Sequence, residues 1–388
     1  MKRKLAVLMT GAMVMATLAG CGGGSDAAPA AAPAAEEASA AEEEAPAAAE
    51  EEAPAAAEEE AEAPAASGDL ITVGIINNDP NESGYRTAND ADLKATFTEE
   101  NGYSASFAYS MKNDEQITAA QKFIQDGVDY LLLSAADTSG WDSVLQDAAD
   151  AGVDVILFDR TIDADESLYL ASIVSDMDKE GETAVNWLES QGLDTYNIIH
   201  IQGVMGSAAQ LGRTGALDAK VAAEDNWNMV EQQTAEWNAE TAQQIVNSVI
   251  TSGKEFNVIY AENDDMAKGA VAALDAAGIS HGVGKDVIVM GFDCNKWALE
   301  ELLNQNWNYD GQCNPFQSSY IDDVIKNGAP AEKTIIMDEK GFDATTITQE
   351  DVDTYGISLW GFASLGKICY NVRNERGAVP PSLPALFF

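Results

Sequence analysis

The sequence has few basic residues, few histidines and few cysteines. Its 388 residues include 21 Lys and Arg against 65 Asp and Glu, and the formal net charge is −44 at pH 7. A surface this acidic repels the phosphate backbone, so we expect no nucleic-acid partner. Two isolated histidines, His200 and His281, and four cysteines without a CxxC pair lack the spacing of metal ligands. We therefore expect no metal site.

The motifs of common catalytic sites are also missing. The sequence has no GxSxG, no HExxH and no glycine-rich phosphate loop, and GVGKD at 282–286 lacks a Ser or Thr after its lysine. Asp159 and Asp293 could in principle form a glycosidase pair, but arginines and amides outnumber acids among the candidate site residues. We expect a protein that is not an enzyme, with no catalytic residue and no cofactor.

The first 21 residues have the pattern of a secretory signal. A basic start at residues 2–4 precedes a short apolar run that ends in LAGC at Cys21. LAGC resembles the lipobox of bacterial lipoproteins, whose cysteine is lipidated and becomes the mature N-terminus. The resemblance implies an extracytoplasmic protein anchored to the cell membrane by lipid on Cys21, without a transmembrane helix. A signal peptide with an incidental cysteine is the alternative.

Two further segments do not have the pattern of a folded domain. Residues 22–68 are rich in Ala, Glu and Pro and contain 12 Glu, one Asp and no Lys or Arg, so we expect a disordered tether. Residues 358–388 have three Lys and Arg against one acid and no clear periodicity. We expect a disordered tail there, with a read-through, a frame error or an extra element as alternatives. A disulfide between Cys294 and Cys313 stays open.

Between these segments, short β-branched runs alternate with amphipathic stretches that end in glycine. Continuous apolar strands that alternate with helices predict parallel sheets covered on both faces. The alternation of predicted strands and helices starts again near residue 196, which predicts an α/β fold with two doubly wound parallel-sheet lobes. The predicted strands are 71–77, 104–110, 130–135 and 153–159 in the first half, and 196–203, 227–235, 256–263 and 287–293 in the second.

Polar side chains follow many of these strands. Ligands of open α/β sheets bind beyond the carboxyl ends of the strands, so these side chains are candidates for one cleft. A polyhydroxy ligand needs such a set, because each buried hydroxyl must find a partner. For each residue a structural role, as an ion pair or a helix cap, is the alternative. The polar candidates are Arg86, Asp159, Arg160, Arg213, Asn263 or Asp264, and Asp293, and the aromatic candidates for stacking on a sugar ring are Tyr85 and Trp237.

With these residues in place, the chain resembles the sugar-binding proteins of bacterial ABC transporters, which have the type I periplasmic binding fold and include ribose and galactofuranose binders. The similarity runs from about residue 71 to residue 357. It rests on motifs that occur in order: SGYR at 83–86, DR at 159–160, NDDM at 263–266 and GFD at 291–293. DRTID at 159–163 is similar to a motif of the galactofuranose-binding type, where an aromatic such as Trp is usual in place of Tyr85.

The resemblance implies two lobes joined by three crossovers, near Ser175–Asp178, Gln312–Pro315 and Asp343–Thr346. The N-terminal lobe would contain residues 69–176 plus 313–345, and the C-terminal lobe residues 177–312 plus 346–357. Closure over the ligand would be a hinge motion.

The resemblance also implies the roles of the site residues. Tyr85 and Trp237 would stack on the sugar, and its hydrogen-bond partners would be Arg86, Asp159, Arg160, Arg213, Asn263, Asp293 and Gln312. The protein would be a monomer that captures a monosaccharide, galactofuranose-like or another aldose, and delivers it to an ABC permease. A sensor partner of a chemoreceptor or histidine kinase is the alternative.

Overall fold

The structure is a computed structural model, and it describes residues 70–358. The predictions on the signal peptide, Cys21, the tether and the tail from residue 359 onward lie outside the described residues.

Strands and helices alternate along the described residues, as the sequence predicts. The strands are β1 (Ile71–Asn77), β2 (Tyr103–Tyr109), β3 (Tyr130–Leu133), β4 (Asp154–Asp159), β5 (Ala171–Val174), β6 (Tyr196–Gln202), β7 (Trp227–Thr234), β8 (Val258–Ala261), β9 (Ile288–Asp293), β10 (Tyr309–Gln312), β11 (Thr334–Ile336) and β12 (Gly341–Asp343). The helices are α1 (Gly84–Thr96), α2 (Asn113–Asp126), α3 (Asp142–Ala151), α4 (Met177–Ser190), α5 (Ala208–Ala223), α6 (Ala239–Ser252), α7 (Asp264–Ala277), α8 (Lys296–Leu303), α9 (Ser318–Asn327) and α10 (Gln349–Tyr355).

The strands form two six-stranded sheets. The first has the order β11-β5-β4-β3-β1-β2, and its strands are all parallel. The second has the order β12-β10-β9-β8-β6-β7 and is parallel except for the edge strand β12, which runs antiparallel to β10. The two-lobed doubly wound α/β fold is confirmed. The lobe that contains the first sheet is called the first lobe, and the lobe that contains the second sheet is called the second lobe.

Both faces of the inner strands of the first sheet are buried because these strands are apolar at consecutive positions, as β3 shows. Leu132 packs into one hydrophobic cluster, while its neighbours Leu131 and Leu133 pack into another. Successive side chains of a strand point to opposite faces, so the two clusters lie on the two sides of the sheet. A continuous apolar run is therefore what this strand requires.

The chain passes between the two sheets three times. It leaves the first sheet after Val174, and it leaves the second sheet after Gln312 to enter α9, which packs against α1. The third crossover was expected near Asp343–Thr346, and this prediction is wrong. Gly341–Asp343 already pairs with Tyr309–Gly311 of the second sheet, so the chain crosses between Ile336 and Gly341. The prediction came from the family resemblance, and β12, with three residues, has no periodic pattern that could have corrected it.

Within residues 70–358, none of the helices combines the length and the apolar character that crossing a membrane requires. The two cysteines of this range, Cys294 and Cys313, are both buried and free, so they are not joined in a disulfide.

Candidate functional site

The carboxyl ends of β4 and β9 occupy equivalent places in the two lobes, and each ends in an aspartate. Asp159 has a φ of 65° and Asp293 a φ of 111°. These values lie in the left-handed half of backbone space, which costs energy for a residue with a Cβ atom. Such strain concentrates at functional sites, where the surrounding structure holds the residue in place.

Asp159 is the centre of a buried polar network in the first lobe. Its Oδ2 atom lies 2.7 Å from Arg86 Nη2 and accepts a hydrogen bond from Ser134 Oγ at 2.7 Å. Its Oδ1 atom accepts from Tyr85 Oη at 2.8 Å, and Arg160 Nε lies 3.6 Å from Oδ2. Burial alone opposes ionisation, but Arg86 and Arg160 outweigh it and hold the pKa of Asp159 below its usual value. The network thus presents a fixed anion between two guanidinium groups.

Glu82 extends this network. Its Oε1 atom accepts a hydrogen bond from Arg86 Nε at 3.2 Å and lies 3.8 Å from Arg160 Nη2. Its Oε2 atom is buried and has no hydrogen-bond partner among the described residues. A buried polar atom without a protein partner is uncommon, so Glu82 Oε2 is a candidate to contact a ligand.

Arg213, on α5, is the corresponding cation of the second lobe. Its Nε and Nη2 atoms lie 2.7 Å and 2.6 Å from Glu180 Oε2, and the guanidinium lies 4.6 Å from the centre of the Phe292 ring. Asp293 Oδ1 is farther away, at 3.9 Å from Nη2. Burial raises the pKa of Asp293 well above its usual value, because Arg213 at this distance only partly offsets it. Asp293 therefore keeps its proton to higher pH than Asp159, and the two carboxyls differ in hydrogen-bonding capacity.

Two aromatic side chains, Tyr85 and Trp237, lie beside these charged groups. The Tyr85 hydroxyl is held by Asp159 and by Gln317 Nε2, which donates to it at 3.2 Å. The Trp237 ring lies 5.7 Å from the Arg160 guanidinium, and a Cβ atom on Gly203 would overlap the ring, so this glycine leaves the space that the ring occupies. The indole Nε1 of Trp237 is buried, and the described part of the chain offers it no acceptor.

The interlobe cavity brings most of the predicted site residues together. It contains about 290 Å³ of empty space, part of it open to solvent, and receives side chains from both lobes. Eight of the nine predicted ligand-binding residues line it: Tyr85, Arg86, Asp159, Arg160, Arg213, Trp237, Asn263 and Asp293. Of the two alternatives at the end of β8, Asn263 is the residue that caps α7, since its Oδ1 atom accepts from Met266 N at 2.9 Å.

Gln312 is the exception, and the structure places it elsewhere. It lines a second cavity of about 590 Å³, the hinge cavity, together with Glu180 and Glu339. The next residue, Cys313, lines the interlobe cavity. Side chains alternate along an extended chain, so a shift of one residue moves the side chain to the other side. From this crossover, Gln317 contacts the interlobe site indirectly, because its Nε2 atom donates a hydrogen bond to the hydroxyl of Tyr85.

The lobes also contact each other directly across the cleft. Gly84 N donates a hydrogen bond to Asp265 Oδ2 at 2.9 Å, and Thr138 N donates to Gly206 O at 3.0 Å. Both contacts join the first lobe to the second, so the structure represents a closed arrangement of the two lobes.

Sequence analysis missed three residues of the site. Glu82 lies in the NESGYR segment from which Arg86 and Tyr85 were chosen, so its position next to them was a usable signal. Glu180 and Gln317 carried no such signal. Each is one of many polar residues on a helix or a turn, and its role depends on a partner far away in the sequence.

Comparisons with known proteins agree with this geometry. The family described as periplasmic binding protein domain matches residues 73–320. The fructose import binding protein FruE of Bifidobacterium longum is 32% identical over 286 residues, which cover 71% of this chain and 85% of that protein. The galactofuranose-binding protein YtfQ of Escherichia coli is 30% identical over 263 residues, covering 65% of this chain and 81% of that protein.

A solved structure shows the same architecture. The crystal structure of a protein from Mycobacterium smegmatis in complex with β-D-fucofuranose has a TM-score of 0.66 and 28% identity, covering 79% of this chain and 97% of that chain. These relatives are binding proteins of an extracytoplasmic family, not enzymes. The chain therefore belongs to the periplasmic binding protein family, among its type I sugar-binding members of the ribose and galactofuranose type.

Proposed function

We propose that the chain captures a monosaccharide, galactofuranose-like or another aldose, in the interlobe cavity and delivers it to an ABC permease while lipid on Cys21 holds it at the membrane. One observation supports the binding role above all others. Polar and aromatic side chains from the strand ends of two separate sheets line one cavity, and two of them, Glu82 and Trp237, have buried polar atoms without partners among residues 70–358.

The unpaired atoms define what the ligand should offer. Glu82 Oε2 needs a hydrogen-bond donor and Trp237 Nε1 needs an acceptor. A sugar hydroxyl is both donor and acceptor, so adjacent hydroxyls of one ring can serve both atoms. The indole and phenol rings of Trp237 and Tyr85 would contact the apolar faces of the sugar ring. A hydroxylated ring meets all of these requirements with a single small ligand.

The relatives support a sugar and favour a five-membered ring as the first form to test. YtfQ is named for galactofuranose, and the Mycobacterium smegmatis protein holds fucofuranose. FruE is named for fructose import, which widens the range to another monosaccharide. The buried network of Asp159, Arg86 and Arg160 would bind hydroxyls on one face of the ligand, and Arg213, Asn263 and Asp293 would bind those on the other. A ligand held by both lobes would stabilise the closed arrangement, which the permease would then recognise.

Calorimetric titration of the purified full chain with galactofuranose, ribose, fructose, polyols and uronic acids tests the binding role. We expect at least one monosaccharide to bind with one-to-one stoichiometry and to raise the melting temperature. If only compounds other than carbohydrates bind, the sugar assignment is wrong.

Trp237→Phe should lower the affinity for that sugar by about 2- to 10-fold, the loss expected for one neutral hydrogen bond of about 0.5–1.5 kcal/mol. The substitution keeps an aromatic ring and removes the indole N–H. Trp297→Phe is the matched control, since Trp297 packs edge-on against Trp307 in the second lobe and does not line the cavity. Isothermal calorimetry on both variants gives the comparison, and equal losses would contradict a direct contact by Trp237.

The anchor and the delivery role need a separate experiment. We expect the chain to fractionate with membranes in cells that express it, and Cys21→Ser to shift it to the soluble fraction while sugar binding is retained. Uptake of the labelled sugar should require an ABC permease in the same cells. Unchanged fractionation of Cys21→Ser would contradict the lipid anchor without affecting the binding role.

A further inference from the structure

The hinge brings three metal-ligating side chains together from three segments of the chain. Glu180 lies in the first turn of α4, Cys313 lies in the second crossover, and Glu339 lies in the third. One ligand atom from each residue lies within 4.8 Å of those of the other two. The three positions are far apart in the sequence, so the spacing rules that predicted no metal site did not detect them.

Each carboxylate of this group has one oxygen held by the protein and one oxygen left over. Glu180 Oε2 is held by Arg213, whereas Oε1 is buried and has no partner in the described range of the chain; the residue as a whole is 7% exposed. Glu339 Oε1 accepts hydrogen bonds from Ser175 Oγ at 2.7 Å and from Asn314 N at 2.6 Å. Outer contacts of this kind orient ligands around bound metal ions.

The charges at the hinge favour a cation. Two carboxylates and a thiol face one guanidinium, that of Arg213, which is already placed between Glu180 and Asp293. The two lysines that line the hinge cavity have other partners, because Lys179 pairs with Glu182 and Lys340 with Asp351. A divalent cation would balance the negative charge that these groups carry once their protons are released on binding.

The donor types and the space also fit such an ion. A thiolate sulfur with carboxylate oxygens is a donor set that Zn²⁺ accepts, at about 2.3 Å for sulfur and about 2.0–2.2 Å for oxygen. The hinge cavity of about 590 Å³ is lined by Glu180 and Glu339, so it provides an entry path and room for a water molecule as a further ligand.

We propose that Glu180, Cys313 and Glu339 form a hinge site for a thiophilic divalent cation of the zinc type. This site is separate from the interlobe cavity and goes beyond the proposed sugar-binding function. Two contacts connect it to that cavity: Glu180 accepts a hydrogen bond from Arg213, and Cys313 also lines the interlobe cavity.

Titration of the chelator-treated full chain tests the proposal. We expect Zn²⁺ to bind with one-to-one stoichiometry by calorimetry and to raise the melting temperature, and Cd²⁺ to produce the ultraviolet absorption of a metal–thiolate bond. Cys313→Ser should remove the absorption band, and both Cys313→Ser and Glu339→Gln should weaken Zn²⁺ binding at least tenfold. Cys294→Ser is the matched control, because Cys294 is equally buried and free but lies outside the three-residue group.

The result that overturns the proposal is a full chain with no thiolate band, or a band that persists in Cys313→Ser. A persistent band would assign the binding to Cys21, Cys294 or Cys369. If Cys313→Ser does not melt cooperatively, the test of the metal site rests on Glu339→Gln. This variant should fold, because its amide oxygen can still accept the hydrogen bonds from Ser175 and Asn314. Zn²⁺ binding by Glu339→Gln at wild-type affinity would likewise exclude the site. Sugar titration of the same samples keeps this outcome distinct from a failure of the sugar-binding function.

Discussion

Asp159→Ala should reduce the free energy of unfolding by about 3–5 kcal/mol and abolish sugar binding. Removing one partner of a buried ion pair leaves the other charge buried without compensation, and this is the cost typical of that loss. Arg86 is fully buried beside Asp159, and Arg160 is almost as buried. Glu82 contacts both arginines and cannot neutralise two charges alone. Urea unfolding and calorimetric sugar titration measure the two effects.

The control for this prediction is Asp163→Ala, in the same DRTID segment. Asp163 is exposed, and an exposed substitution of this kind changes stability by less than about 0.5 kcal/mol. A second variant, Asp159→Asn, keeps the shape of the side chain and removes its charge. If Asp159→Ala were as stable as Asp163→Ala, the ion network would contribute nothing to the fold, and its buried charges would need another explanation.

The parts of the site that could be predicted are those dictated by sheet topology. Asp159, Asn263 and Asp293 follow apolar runs, and parallel strands bring their carboxyl ends to one edge. Strand periodicity indicates where each strand ends, and two lobes that face each other bring those ends to one cleft. Residues of both lobes could therefore be identified before any contact between them was known.

The parts that could not be predicted depend on tertiary partners. Glu180 meets Arg213 because α4 packs on α5, and nothing in the local sequence distinguishes it from the exposed acids of the same helix. Gln312 was assigned by the family resemblance alone, and its side chain lines the hinge cavity, whereas Gln317, in the next turn of the chain, contacts Tyr85. Strand β12 has three residues and no pattern of its own, so only its pairing with β10 identifies it.

A second large effect should come from a buried carboxyl pair in the second lobe, Asp264 and Asp310, which we expect to share a proton because both are fully buried and Asp264 Oδ1 and Asp310 Oδ2 have no other partner among residues 70–358. Burial, together with the charge of Asp310, raises the pKa of Asp264 well above its usual value, and burial likewise raises the pKa of Asp310. Between the usual carboxyl pKa and these raised values, the folded chain holds protons that the unfolded chain releases. The free energy of unfolding therefore falls as pH rises through this window, by up to about 1.4 kcal/mol per pH unit for each such proton.

Asp310→Asn should reduce this loss of stability. The amide group of the new residue can donate to Asp264 without a bound proton, and its oxygen can still accept the hydrogen bond that Cys294 N makes to Asp310 Oδ1 at 3.3 Å. We expect the variant to gain stability over the wild-type chain as the pH of urea unfolding is raised from about 5 to about 8.

The wild-type slope alone cannot assign this effect, because burial also raises the pKa values of Asp293 and Glu180. The difference between variant and wild type removes those shared contributions. Asp225→Asn is the matched control, since it makes the same change of charge at an exposed position of the same lobe and should leave the pH dependence unaltered. If the curves of Asp310→Asn and the wild-type chain fall in parallel between pH 5 and pH 8, Asp264 and Asp310 do not share a proton in the folded chain, and another buried carboxyl determines the slope.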